Sequence, residues 1–199
     1  MAREPQPLKR EFRLQLRKTR IIPGVKGPQE LKHALEVRAP IIFLLTGSIF
    51  DLSAAVAETK AVGSILFAHA DLLQGIGKDA EGMRYLAKVL GVQGILTTRK
   101  QLIKEAQQVG LLTVQRVFAV DSEALRTGFD VVRSAGPDAF EVLPALALPS
   151  IAHRLPFATL PPVIAGGLLE TEEEVEMVLR TPVKAVSTSK KALWARHGR

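Results

Sequence analysis

The chain has no cysteine, one tryptophan and one tyrosine in 199 residues. Without thiols there is no disulfide, no thiolate nucleophile and no Cys ligand for a metal. No residue spacing matches a zinc site. No run interleaves aromatic and basic residues in the pattern of an RNA-binding sheet, so no known motif marks RNA recognition. No uninterrupted apolar run approaches the roughly 18 residues of a membrane span. The N-terminus is charged from Arg3 and has no apolar h-region, so no secretory signal is expected and a cytoplasmic location fits. No serine sits in a nucleophile elbow, and no lysine lies at the end of an apolar strand-like run, where a Schiff base would need it.

What is present is apolar. Hydrophobic residues make up 47% of the chain and mean hydropathy is +0.15, which excludes general disorder and is enough for one domain with a substantial core. Apolar strand-like runs begin near Arg20, Ile41, Ser64, Gly94, Leu112, Ala139, Pro162 and Ala185, with helical periodicity between them. Alternating strands and helices of this length imply parallel βα units, and eight of them imply closure into a compact TIM (β/α)8-type barrel with short helices. Asp121-Ser122-Glu123 opens a helix that stops at Gly136-Pro137; residues 78–90 and 100–109 are helices ended by Gly91 and Gly110. Residues 144–156, with three prolines, read as an irregular loop with at most a short helix.

Charge is uneven. Residues 1–20 hold seven basic and two acidic groups and so carry +5 of the net +7. The expected organisation is a basic N-terminal arm over residues 1–19 and a single barrel domain over 20–199. Lys9, Arg10, Arg13, Arg17 and Lys18 suit contacts to nucleic-acid phosphates; the alternatives are a solvated leader and a plug that covers the N-terminal end of the barrel.

The seventh strand-like run, Pro162-Val163-Ile164-Ala165, ends in Gly166-Gly167, and the eighth ends in Ser187-Thr188-Ser189. In a (β/α)8 barrel these two loops often hold a phosphate, because small residues let backbone N–H groups approach the anion. Other strand ends supply His69 and Asp71, Thr97-Thr98-Arg99, Gln115-Arg116 and Glu141. Each has a bland reading: His69 as a satisfied strand-end histidine, Arg99 as a first-turn helix residue, Arg116 as an ion-pair partner of Glu141. His69, Asp71 and Glu141 would also suit Mg2+ or acid–base work, but they come from separate loops, and neither a complete catalytic set nor a metal site is expected.

These same residues resemble the glycerol uptake operon antiterminator family, the glycerol-3-phosphate-responsive regulators of leader RNA. The matching segments are His69-Ala70-Asp71-Leu72-Leu73-Gln74-Gly75-Ile76 with Lys78-Asp79, Gly94-Ile95-Leu96-Thr97-Thr98-Arg99, Gln115-Arg116-Val117-Phe118, Glu141-Val142-Leu143-Pro144, Ile164-Ala165-Gly166-Gly167, Thr171-Glu172-Glu173-Glu174-Val175, Ala185-Val186-Ser187-Thr188-Ser189 and Leu193-Trp194. They run from about residue 64 to 194. Residues 1–19 and 41–63, including Thr46-Gly47-Ser48, depart from the pattern. The resemblance implies a barrel that binds glycerol 3-phosphate as effector, uses no cofactor, and acts on leader mRNA to regulate glycerol uptake and metabolism genes by antitermination. It implies that Gly166, Gly167, Thr188 and Ser189 hold the phosphate and that His69, Asp71, Arg116 and Glu141 surround the glycerol hydroxyls. Two other readings stay open: an isomerase, epimerase or phosphodiesterase acting on a small phosphorylated substrate, and a phosphate-ligand binder without an RNA role. A homo-oligomer is also left open.

Overall fold

The computed structural model describes residues 7–196; Arg3 of the basic run and residues 197–199 lie outside the described residues. Eight strands form a closed barrel: β1 (Ile21–Val25), β2 (Ile41–Leu44), β3 (Ile65–His69), β4 (Gly94–Thr97), β5 (Leu112–Phe118), β6 (Ala139–Leu143), β7 (Val163–Gly166) and β8 (Ala185–Thr188). Every pairing is parallel and joins neighbours in sequence, and β1 closes the ring by pairing with both β2 and β8. Each strand starts within one residue of its expected position. The reason is physical: parallel strands buried on both faces read as short continuous apolar runs.

Among the described residues eight helices accompany them: α1 (Pro7–Lys18), α2 (Pro28–Glu36), α3 (Ile49–Ala61), α4 (Ala80–Lys88), α5 (Lys100–Gln108), α6 (Ser122–Ala135), α7 (Leu148–Ile151) and α8 (Glu172–Leu179). Their ends follow side-chain chemistry. Asp121 caps α6 by accepting from the Ala124 N–H at 2.7 Å, and Gly136 ends it in the left-handed conformation at φ 60°. Thr171 and Glu174 form a capping box on α8. Asp79 accepts from the Gly82 N–H at 2.8 Å, so α4 begins two residues later than the expected 78. The 144–156 segment is two 3-10 turns around the four-residue α7. At the barrel mouth the two-residue strands Gly47–Ser48 and Leu73–Gln74 pair outside the main sheet.

Alternate strand residues point inward or outward and build two cores. The outer core lies between strands and helices. The inner core fills the barrel with Ile22, Ile41, Phe43, Ile65, Phe67, Leu96, Leu112, Val114, Ala139, Ile164 and Ala185. Gly94 belongs to this layer because a Cβ there would strike the Phe67 ring. Residues 7–18 of the basic segment form α1, which lies across the N-terminal end of the barrel. Its Phe12 and Leu16 join the inner core, at 0% and 2% exposure. Burial of two such side chains contributes about 2–3 kcal/mol each. The Phe12 and Phe67 rings are 5.1 Å apart, and Phe43 meets Phe67 edge-on at 5.6 Å. Lys9 reaches the buried Asp138 at 3.0 Å, whose second oxygen accepts from the N–H and hydroxyl of Thr113. With one end closed by α1, the C-terminal mouth is the open one.

Candidate functional site

The inward-facing positions at the mouth carry the polar groups. Glu141 is fully buried within the barrel. Its carboxylate accepts from Arg116 Nε at 2.6 Å and from the Ser187 hydroxyl. Such a buried charge is tolerated only with partners of this kind. Gly166 makes the arrangement sterically feasible, since a Cβ there would collide with Glu141 Oε1 and Ser187 Oγ. Gly166 therefore makes room for the carboxylate. Arg116 is 14% exposed, bonds Glu141 through Nε and lines a cavity.

That cavity, of about 280 Å³, is bounded by Gly24, Phe43 and Leu45 on one side, by Arg116 and Ser187, and by the loops Gly167–Glu170 and Thr188–Lys190 on the other. Gly167 has φ 82° and Leu168 φ 61°, so the β7 loop turns through two successive left-handed residues. Thr188 ties the two loops together: its hydroxyl donates to the Leu169 carbonyl at 2.9 Å and accepts from the Lys190 N–H at 3.0 Å. Its carbonyl accepts from Trp194 Nε1 at 2.9 Å, which pins the short 3-10 segment Lys191–Arg196 under the loop. Ser189 is exposed on the cavity wall, and its hydroxyl makes no hydrogen bond among the described residues. Lys190 also lines the cavity, with Nζ 3.4 Å from Glu170.

Of the residues expected at the site, Arg116, Gly167, Thr188 and Ser189 line this cavity, and Glu141 and Gly166 stand directly behind it. His69 and Asp71 do not line it. His69 is 5% exposed and its Nδ1 has no hydrogen-bond partner, lying 3.9 Å from Asp71 Oδ2. Burial first, and the nearby Arg116 charge second, push its pKa down to about 4 against the opposing pull of Asp71, so the imidazole is neutral at pH 7. Asp71 faces the β4 loop. It accepts from the Thr97 hydroxyl at 3.0 Å and the Thr98 N–H at 2.8 Å, and pairs with Arg99 Nε at 3.2 Å. Arg99 is thereby an ion-pair partner of Asp71 rather than a free first-turn cation.

The sequence reading missed two parts of the wall. Lys190 stands in the loop two residues past β8; its signal was its place directly after Ser187-Thr188-Ser189. Gly24, Phe43 and Leu45 carried no signal, because inward and outward residues of β1 and β2 are equally apolar. Chemically, the wall offers two cations, a free hydroxyl and small-residue backbone to an anion, beside an apolar side. Among the described residues there is no cluster of three or more His, Asp or Glu side chains able to hold a metal, and no helix is long and apolar enough to cross a membrane. The candidate RNA contacts lie at the other end: Arg10, Arg13, Arg17 and Lys18 are exposed on α1, and Lys9 is the residue paired with Asp138.

Comparison with known proteins shows the family and the fold. The family described as "Glycerol-3-phosphate responsive antiterminator" matches residues 21–194. The crystal structure of a glycerol uptake operon antiterminator regulatory protein from Listeria monocytogenes is 32% identical, covers 89% of this chain and 96% of its own, and superposes with a TM-score of 0.79. A glycerol uptake operon antiterminator-related protein from Thermotoga maritima is also 32% identical, with coverage of 88% and 98% and a TM-score of 0.77. The uncharacterised protein YgcP of Escherichia coli (strain K12) is 30% identical over 179 residues, which are 90% of this chain and 93% of YgcP.

Proposed function

The chain belongs to the glycerol-3-phosphate responsive antiterminator family, and from that we propose that it is a glycerol-3-phosphate sensor acting on RNA. In this reading the effector occupies the mouth cavity. Its phosphate sits against the Gly167 and Ser189 backbone, the Ser189 hydroxyl and Lys190. Its glycerol part meets Arg116, with Glu141 holding the guanidinium in place and neutral His69 and Asp71 bracing the mouth on the β3–β4 side. The liganded protein then acts on leader mRNA so that a terminator does not stop transcription of glycerol uptake and metabolism genes, which puts its action in the cytoplasm. No cofactor is required.

The observation that carries this reading is the convergence of the β7 and β8 loops with Arg116 and Lys190 on one small cavity. A phosphate held by Lys190, the Ser189 hydroxyl and backbone N–H groups gains charge-assisted hydrogen bonds on several sides, with Arg116 left for the glycerol hydroxyls. We read the site as one for binding rather than turnover. Glu141 is committed to Arg116 and Ser187, and His69 stands off the cavity wall, so neither is a free acid or base beside the ligand. Titration calorimetry with glycerol 3-phosphate, glycerol and inorganic phosphate tests the proposal. Tight binding of the phosphate ester, weak binding of phosphate and none of glycerol are expected; no binding of any of the three overturns it. Incubation with glycerol 3-phosphate and Mg2+, followed by phosphorus NMR, tests the enzyme alternative, and catalytic product formation abolished by Glu141→Gln would establish it.

A further inference from the structure

Helix α1 has a charge pattern that its own stability does not explain. Basic residues in a last turn complement the helix dipole, which accounts for Arg17 and Lys18. Arg10 lies in the first half of the helix, where positive charge opposes the dipole, Arg13 stands at its middle, where the dipole favours neither sign, and the first turn contains no acidic residue. Nor are they neutralised from outside among the described residues. Among the ion pairs of the described residues α1 contributes Lys9 alone, through Asp138. Arg13 and Arg17 are four apart and share a face. That face borders a cleft of about 280 Å³ at the base of the barrel, lined by Arg13, Leu16, Arg17, Pro162 and Lys184. Lys184, from the turn before β8, is exposed and forms no ion pair among the described residues. Three unpaired cations therefore surround an apolar floor made by Leu16 and Pro162. The helix carrying two of them is anchored by Phe12 and Leu16, so the cations are held on a fixed support and do not trail on a flexible leader.

We propose that this basal cleft, formed jointly by α1 and Lys184, is the phosphate-binding surface through which the protein holds RNA. The inference rests on the RNA reading above and sharpens it: Arg13, Arg17 and Lys184 are the central contacts, Arg10 and Lys18 flank them, and Lys9 fastens the helix to the barrel. Charge complementarity selects the partner. Unpaired guanidinium groups on a rigid face match a backbone with a charge at every step, and they position it without reading sequence.

The experiment measures binding of a fluorescein-labelled RNA hairpin of arbitrary sequence, with and without glycerol 3-phosphate, between about 50 and 200 mM KCl. Wild type is compared with Arg13→Gln/Arg17→Gln/Lys184→Gln. A control, Lys88→Gln/Lys100→Gln/Lys104→Gln, removes the same charge from the α4–α5 side. Each lost phosphate contact lowers the slope of log affinity against log salt by about 0.7–0.9, so the cleft variant should lose about 2–3 units of slope. Its melting temperature and effector affinity should stay unchanged, because the three side chains are exposed and distant from the mouth. If wild type binds RNA and the cleft variant binds it equally with the same slope, the cleft is refuted and the RNA reading survives. An equal loss in the control refutes the cleft in favour of diffuse charge. If wild type binds no RNA in either effector state, both fall. Capture of anionic phosphatidylglycerol vesicles in preference to RNA overturns the proposal in favour of a membrane surface.

Discussion

Replacing Arg116 by methionine keeps an apolar stem of similar reach and removes the charge. Glu141 would then remain at 0% exposure with the Ser187 hydroxyl as its one remaining partner. Breaking a buried ion pair by removing one partner costs about 3–5 kcal/mol, because the other charge stays buried uncompensated. For a domain of this length that is a fall of about 6–20 °C in melting temperature. The double variant Arg116→Met/Glu141→Gln removes the stranded charge and keeps an amide oxygen to accept from Ser187. It should recover to within about 1–2 kcal/mol of wild type. Urea unfolding of the four proteins of the cycle gives these numbers directly. Calorimetry on the well-folded double variant then separates two roles. If Arg116 touches the effector, affinity for glycerol 3-phosphate falls at least tenfold although stability is restored. Normal affinity in the double variant would leave Arg116 as a structural cation only. A single variant that loses less than about 1 kcal/mol would refute the electrostatic reasoning itself.

Gly167→Asp places a carboxylate and a Cβ at φ 82° beside the proposed phosphate position; calorimetry should show most effector binding lost while circular dichroism stays native, and unchanged affinity would remove the β7 loop from the site. Because the His69 pKa is lowered from 6.5 to about 4 in the folded state, the unfolded chain takes up the proton first, so this contribution to stability is complete above about pH 6.5 and is lost as pH falls toward 4, by roughly 3 kcal/mol in all. Urea midpoints of wild type and His69→Gln over that range should diverge; parallel curves would contradict the burial argument. Phe12→Ala opens a cavity between α1 and Phe67 and should cost about 3–5 kcal/mol in urea unfolding, whereas a loss below 1 kcal/mol would mean that α1 does not seal the barrel.

The barrel was legible because each level of the sequence points the same way. Ile41-Ile42-Phe43-Leu44 and Ala139-Phe140 followed by Val142-Leu143 can only be strands buried on both faces at this spacing, and Asp121, Gly136, Thr171 and Glu174 mark helix ends by their own hydrogen bonds. The β7 and β8 loops were legible from their small residues. The behaviour of α1 was harder to read. Its seam of Leu8, Phe12 and Leu16, at four-residue spacing, is the signal of a packed helix, but charge dominates the composition around it. Which strand residues face the barrel interior was not legible either. The apolar pattern is the same on both faces, so the cavity wall of Gly24, Phe43 and Leu45 needed the closed sheet to define it. Asp71 shows the opposite case: a strand-end carboxylate that reads as a ligand contact is taken up by Thr97, Thr98 and Arg99 of the next loop.

The three phenylalanine rings inside the barrel form more than filling. Phe43 forms part of the mouth cavity, Phe67 stands behind it, and Phe12 belongs to the helix at the opposite end. A close-packed interior transmits a displacement instead of absorbing it, so a ring pushed at the mouth is felt at α1. The column thus gives the two ends of the molecule a common mechanical element, and any free energy exchanged through it acts in both directions. On the RNA reading proposed above, an effector that strengthens the grip of α1 on RNA must itself be held more tightly, by the same factor, once the RNA is bound.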